Sequence, residues 1–184
     1  MLITSIESYE RSAIARWVRE QHPTQRKSRF RTIPGYLPPS SPSSPSSTGY
    51  DTMLWFRIGG WATLPKTIIR SDAFCACGRA WHMMVYPHGN KTESQGGTLS
   101  VYLCSNSPCP SESPVKARFE ISVVNHDADN KDGTMSRRTH HSFGETCWGW
   151  TLFMPLAELT DKHGFVAHDG SLLLRLRLAC DAST

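Results

Sequence analysis

The spacing of turn residues beyond Tyr50 is the feature that most limits what this chain can fold into. Short runs of β-branched and aromatic residues are broken by Gly, Pro, Asn or Asp roughly every eight to twelve positions. Within residues 119–123 and 172–178, apolar and polar side chains alternate. A period of two is typical of half-buried strands, so many short strands at this spacing indicate an antiparallel β-sandwich.

We therefore predict an all-β domain over residues 51–180, built as an eight-stranded antiparallel β-sandwich. One short helical turn is expected near residues 155–159, because Pro155 can begin a helix and Gly164 can follow its end. The strands are predicted near residues 53–58, 72–77, 80–87, 97–104, 116–126, 138–143, 148–153 and 171–179.

The first 50 residues have a different composition. Residues 6–18 carry apolar side chains at helical spacing and predict a short amphipathic helix, whereas residues 34–49 are rich in Pro and Ser. The second stretch has too little apolar surface to offset the entropy of ordering. We expect residues 1–50 to form a mostly disordered tail with one short helix and a linker.

Charge is unevenly distributed between the two parts. Residues 1–50 hold seven Lys or Arg against three Glu, while residues 51–184 hold thirteen charges of each sign. Phosphate binding needs a clustered basic face, so we expect no nucleic-acid binding through the folded domain. No apolar run suits a membrane span or a signal peptide, which favours a cytoplasmic or nuclear protein without membrane contact.

The six cysteines lead to further hypotheses. Without a secretory signal, we expect reduced thiols, mostly small and buried in strands. The four thiols of Cys75, Cys77, Cys104 and Cys109 leave a zinc-stabilised domain open as an alternative, although their spacing is not the usual knuckle. Cys147 near His140 or His141 would suit a cysteine-dependent hydrolase, but nothing marks an orienting carboxylate or an oxyanion-forming turn.

Seven segments of the domain follow one another in an order typical of a known family. They lie at residues 71–74, 81–89, 99–103, 115–119, 141–143, 148–150 and 164–169. Together they cover roughly residues 51–180 and resemble a MATH domain, the meprin and TRAF homology fold, as found in ubiquitin-specific proteases and speckle-type POZ adaptors. The resemblance implies a non-catalytic protein-interaction module that needs no metal or cofactor, and it suggests a substrate-recruiting adaptor in ubiquitin pathways.

The resemblance also implies where a ligand would bind. In this family an extended peptide segment of a partner protein pairs with a strand edge and places side chains in an aromatic groove. The positions that match the groove are Tyr102, Phe119, His141, Cys147, Trp148, Gly149 and Trp150. Residues 6–18 are too short for the coiled-coil stalk of TRAF-type relatives, so we expect a monomer.

Two positions depart from the relatives and bear on ligand choice. Cys147 stands where many relatives carry an Asp acceptor, and Cys77 stands where the protease relative carries an Arg. Without that Asp at position 147, a charge-assisted contact with the ligand worth about 1.5–3 kcal/mol would be missing. We therefore expect a more apolar peptide.

Three other aromatic residues, Trp81, Phe143 and Phe153, are expected in the core. His141 could make binding pH-sensitive below about pH 6.5.

Overall fold

A computed structural model describes residues 30–33, 52–64, 66–90, 96–106, 114–127, 133–144 and 146–181. This part of the chain is nearly all β and forms two antiparallel sheets, which confirms the predicted fold class. The strands are β1 (Phe30–Ile33), β2 (Thr52–Ile58), β3 (Ile69–Arg70), β4 (Phe74–Ala76), β5 (Arg79–Tyr86), β6 (Thr98–Asn106), β7 (Val115–Val123), β8 (Met135–Phe143), β9 (Cys147–Pro155) and β10 (Leu172–Cys180).

The first sheet has the strand order β1-β2-β10-β7-β8. Its central strand β10 pairs with β2 and β7, so that Leu176 lies opposite Leu54 on one side and Ile121 on the other. β8 pairs with β7 from Val115↔Phe143 to Val123↔Met135 and forms the outer edge of this sheet in the described part of the chain.

The second sheet has the order β3-β5-β6-β9, with β4 also paired to β5. β6 runs between β5 and β9, and a register shift interrupts its pairing with β9 between Leu99 and Val101. β9 is therefore the last strand of its path, as β8 is in the other sheet.

The core lies between the two sheets and is rich in aromatic rings. Trp81, Phe143 and Phe153 are fully buried, as predicted. The Trp81 ring meets Phe143 edge-on at 5.0 Å, and its indole N–H donates to the carbonyl of Ala76 at 2.8 Å. Burying each such ring contributes about 1.5–3 kcal/mol, and the internal hydrogen bond satisfies the one polar atom of the indole.

All eight predicted strands have counterparts, and two further strands were not predicted. β3 is two residues long, and β1 lies within residues 1–50, which were predicted to form a mostly disordered tail. β1 pairs with β2 from Phe30↔Ile58 to Ile33↔Trp55 and extends the first sheet. The predicted amphipathic helix at residues 6–18 and the linker at 34–49 lie outside the described residues.

The helical turn after Pro155 is a single 3₁₀ turn, Leu156–Glu158, and a second one spans Trp61–Thr63. Pro155 precedes the turn as its N-terminal cap in extended conformation, consistent with its fixed φ. Among the described residues no helix has the length and apolar character needed to cross a membrane.

Candidate functional site

The outer strands of the two sheets lie beside each other along one side of the sandwich. Arg137 and His141 of β8 contact Phe153 and Trp148 of β9 through their side chains. In the described part of the chain no strand pairs with the outer side of β9. We call this outer side, from Cys147 to Phe153, the β9 edge.

Main-chain hydrogen bonding shows which backbone groups of the β9 edge face outward. The Ser105 N–H donates to the Thr146 carbonyl at 3.0 Å, so these two residues form a hydrogen-bonded pair. Opposed residues of an antiparallel ladder alternate between bonded and non-bonded pairs. Trp148 and Trp150 therefore bond to β6, and the N–H and C=O groups of Cys147 and Gly149 face outward.

An aromatic surface borders the core-facing side of the edge. The His141 imidazole lies flat on the Trp148 indole, with centroids 4.1 Å apart and planes inclined by 5°. Trp148 keeps 46% of its surface exposed, whereas Trp150 is half-buried against Phe119 and Phe153 at 5.5 and 5.7 Å. Of the two rings, Trp148 is thus the more accessible, and Trp150 packs into the core beside it.

Tyr102 lies on the opposite side of the same edge. It pairs with Gly149 across the β6–β9 ladder, and its ring meets Tyr86 edge-on at 5.9 Å. Its hydroxyl accepts from the Asn90 amide at 2.7 Å and lies 2.8 Å from the Thr151 hydroxyl. These contacts hold the hydroxyl between the Asn90 amide and the Thr151 side chain of β9.

Gly149 allows the close approach of β9 to β6. A Cβ at this position would collide with the Val101 carbonyl oxygen and lie 2.6 Å from the Tyr102 Cα. Both obstacles are backbone atoms, which cannot move aside as a flexible side chain would. The close approach of the two strands at this point therefore depends on the absence of a side chain at position 149.

Phe119 is a correction to the predicted site. It is fully buried between Phe143 and Trp150, so a ligand cannot reach its ring. Phe119, Ile121 and Val123 all face the core, and this alternation was visible in the sequence. Phe119 supports the groove through Trp150 instead of lining it.

The cysteines are a second correction, because the structure pairs four of them in disulfides. Cys77 is bonded to Cys180, and Cys104 is bonded to Cys147 across β6 and β9, with Cα atoms 4.0 Å apart. The expectation of reduced thiols is wrong for these four residues: Cys104 and Cys147 are opposed on β6 and β9, and Cys77 lies in the turn between β4 and β5 while Cys180 ends β10. Cys147 thus anchors the start of β9 and offers no thiol to a ligand.

The same pairing bears on the two alternative hypotheses. A hydrolase would need the Cys147 thiolate, but its sulfur is bonded to Cys104. The proposed zinc set would need Cys77 and Cys104, which belong to separate disulfides. Within the described residues, no three His, Cys, Asp or Glu side chains are grouped so as to hold a metal ion; Cys109 lies outside those residues.

The structure thus brings together Tyr102, His141, Trp148, Gly149 and Trp150 around one edge, with Cys147 at its start. Sequence reasoning missed Asn90, Thr151, Leu152 and Arg137. Leu152 is 51% exposed on the same strand, but the bulge of β9 places Phe153 in the core with Trp150, so alternation in the sequence did not mark Leu152. Asn90 and Arg137 reach the site only through loop and sheet geometry.

Burial lowers the pKa of His141 below its ordinary value of 6.5. The ring is partly desolvated against Trp148, which disfavours its charged form. The site is therefore expected to carry a neutral imidazole at physiological pH.

A second cleft, of about 670 Å³, lies away from these residues. Its lining includes His126, Asp161, Lys162, His168 and Asp169. Burial lowers the pKa of His126, partly opposed by Asp169, and the Ser171 hydrogen bonds lower the pKa of Asp169. Arg57 forms an ion pair with Asp169 at this end. The mixture of charges specifies no single ligand class.

Comparisons with known proteins agree with this architecture. A profile of the MATH domain family matches residues 53–176. Ubiquitin C-terminal hydrolase 12 of Arabidopsis thaliana is 33% identical over 108 residues, which make up 56% of this chain and 9% of the hydrolase. TNF receptor-associated factor homolog 1b of the same plant is 29% identical over 140 residues, which make up 70% of this chain and 12% of that protein.

Among solved structures, TRAF5 of Notothenia coriiceps superposes with a TM-score of 0.58 at 16% identity. The superposition covers 72% of this chain and 75% of that one, and at this identity it supports the fold alone. The chain spans only about a tenth of the length of the two sequence relatives.

Proposed function

We propose that this chain, which belongs to the MATH domain family, binds a short extended peptide along the β9 edge. Members of this family are protein-interaction modules found in TNF receptor-associated factors and ubiquitin-pathway proteins. The peptide would add as a further strand, with its main chain bonding the outward groups of Cys147 and Gly149. The single observation that carries this proposal is that no strand of the described residues pairs with the outer side of β9, next to an exposed Trp148.

The position of the rings supports strand addition over a simple surface contact. Side chains of an added strand alternate between its two faces. On one face they would meet Trp148 and its stacked partner His141, and on the other they would meet the Tyr102 hydroxyl. Main-chain bonds would supply register, while these two surfaces would select side chains.

We propose that the residue facing Trp148 is apolar. Trp148 and Leu152 are the two large apolar side chains most exposed on β9, at 46% and 51%. Cys147 provides no carboxylate to accept a hydrogen bond from a ligand Ser, because its sulfur is bonded to Cys104. A display selection in which every enriched peptide required a Ser or an acidic residue at the position facing Trp148 would contradict this preference.

We further propose that the chain acts without catalysis, as a substrate-recruiting adaptor in a ubiquitin pathway. The disulfide at Cys147 supports the first part, because it removes the candidate nucleophile. The occurrence of the same domain in a ubiquitin hydrolase supports the second. The adaptor role is tested by measuring ubiquitin conjugates on a captured partner protein in extracts with and without the chain.

The binding proposal is tested with a random 12-residue peptide display library panned on the full chain. Wild type, Trp148→Ala and Met53→Ala are compared after circular dichroism has shown that each is folded. Met53 is a matched control, since it is 50% exposed on β2, a strand of the other sheet. Enrichment at about micromolar affinity is expected for wild type and Met53→Ala.

Trp148→Ala should weaken the selected peptides at least about 30-fold, as expected for a central aromatic anchor. Equal loss in Trp148→Ala and Met53→Ala, or binding that ignores both, would mean that the β9 edge is not the site.

A further inference from the structure

Arg137 lies at the far end of the β9 edge and bridges the two sheets. Its Nε donates to the Phe153 carbonyl at 3.1 Å, and its guanidinium carbon lies 5.8 Å from the centre of the Phe153 ring. Phe153 is fully buried, so both contacts tie the guanidinium to a rigid part of the core. The side chain is therefore held in place before any ligand arrives.

The Phe153 carbonyl is one of the outward groups of β9. The Leu156 N–H donates to the Gly97 carbonyl at 2.9 Å, and Leu99 pairs with Met154. Alternation then directs the backbone of Phe153 away from β6. Because Arg137 approaches this carbonyl from the outer side, a peptide paired with Cys147 and Gly149 would meet the Arg137 side chain at Phe153.

The guanidinium retains donors beyond this bond. Arginine has five N–H groups, and the bond to Phe153 uses the one on Nε. The ion pairs among the described residues join Arg57 to Asp169 and both Arg175 and Arg177 to Glu120. Arg137 takes part in none of these pairs, and its guanidinium lies against Phe153, the last residue of the β9 edge.

From these contacts we infer that Arg137 is a specificity-determining residue, which ends strand addition and selects an Asp or Glu side chain of the peptide. The inference rests on the proposed function. β9 bulges between Gly149 and Phe153, since Trp150 and Met154 lie opposite Val101 and Leu99, which are only two positions apart. Phe153 therefore lies about 7 Å from Gly149 along the sheet, or about two strand positions. The acidic residue should then lie about two positions from the peptide residue that pairs with Gly149, on the side toward Arg137. The apolar residue facing Trp148 would remain the central anchor.

The experiment is a random 12-residue peptide display selection on the full chain, with four proteins in parallel. Wild type is compared with Arg137→Gln, Arg137→Lys and Arg138→Gln. Arg138 is the matched control, because it neighbours Arg137 but points to the opposite, exposed face of β8. Thermal melting first establishes which variants fold like wild type.

Wild type and Arg138→Gln should enrich peptides with Asp or Glu at a fixed offset from an apolar residue. Arg137→Gln should keep the apolar residue and lose the acidic one, whereas Arg137→Lys should keep both because it keeps the charge. For one selected peptide, changing the acid to its amide should weaken binding to wild type about 5- to 10-fold and to Arg137→Gln less than about twofold.

Several results would overturn the inference while leaving the proposed function intact. They are Trp148-dependent enrichment without an acidic position, and an acidic preference that survives in folded Arg137→Gln. If Arg137→Gln does not fold, Arg137→Lys decides the question. A folded Arg137→Lys that lacks the acidic preference would overturn the inference, and a folded Arg137→Lys that retains the preference would support it. Absence of any Trp148-dependent enrichment would overturn both proposals.

Discussion

The imidazole of His141 on β8 lies flat against the indole of Trp148 on β9, at a centroid distance of 4.1 Å and an interplanar angle of 5°. The contact joins the outer strands of the two sheets, which share no backbone ladder. It holds the most exposed ring of the proposed groove in one orientation. A preorganised ring loses less conformational freedom when a ligand binds, so the stack bears directly on affinity.

Removing the indole should change the titration of His141. Its pKa is lowered by desolvation, so Trp148→Ala should raise it toward 6.5. NMR titration of the imidazole signals measures this, with His140→Gln used to separate the signals of the two neighbouring histidines. A His141 pKa that Trp148→Ala leaves unchanged would show that the stack does not desolvate the ring.

The same shift predicts how stability depends on pH. The unfolded chain binds the His141 proton more tightly than the folded chain. The contribution of the neutral His141 ring to the free energy of unfolding is therefore fully present above about pH 6.5 and is lost as pH falls through the lower folded pKa. His126 has the same sign, because burial also lowers its pKa. In urea melts from pH 8 to 5, His141→Gln should therefore flatten only part of the slope; an unchanged slope would contradict this account.

Gly149→Ala should destabilise the domain by about 1–3 kcal/mol, because the added methyl meets backbone atoms of Val101 and Tyr102. Gly144→Ala is the control, since a Cβ there meets nothing within 4 Å. Its stability should stay within about 1 kcal/mol of wild type. Urea unfolding of both variants checks the difference, and equal stabilities would mean that β9 does not approach β6 as closely as described.

The two disulfides should have different effects when they are removed. Cys77 and Cys180 are 103 positions apart and Cys104 and Cys147 are 43 apart, so the longer loop should contribute about 0.8 kcal/mol more stability in the chain-entropy model. Cys104→Ala/Cys147→Ala should nevertheless weaken display-selected peptides roughly 3- to 10-fold, because it releases the start of β9. Cys77→Ala/Cys180→Ala should leave affinity unchanged.

Peptide affinities and urea melts of the two double variants measure this difference. Intact mass after alkylation, with and without prior reduction, establishes that the wild-type chain contains both bonds. Equal effects on affinity, or alkylation of all four cysteines before reduction, would contradict the account. A cytoplasmic or nuclear location stays a prediction. Because disulfides are rare in those compartments, the redox state of the four cysteines is the first property to compare with this predicted location.

Local sequence pattern predicted the fold well because strand position depends mainly on alternation and turns. The burial of Trp81, Phe143 and Phe153 was predicted because aromatic residues of a sandwich lie more often in its core than on a binding surface. Pairing between distant segments did not follow, because Cys104 meets Cys147 only through the register of β6 and β9. Arg137 was missed for a similar reason: its partner is a carbonyl on a different sheet, 16 positions away.

Phe119 shows the limit of carrying site residues over from a family resemblance. Its alternation with Glu120 marked it as inward-facing, and the structure buries it completely. The family resemblance placed Phe119 in the groove. Phe119 does contact Trp150, but its own ring is not exposed to a ligand. The position of Phe119 in the fold was predictable from the sequence. Its depth below the surface was not, because that depth depends on the rings packed over Phe119.

The most direct test of strand addition at β9 is amide hydrogen exchange by NMR, with and without a saturating display-selected peptide. The account predicts that the amides of Cys147 and Gly149 become protected on binding, while those of Trp148 and Trp150 change little because they already bond to β6. Protection confined to β3 at the opposite end of the sheet, or unchanged exchange at Cys147 and Gly149, would contradict it.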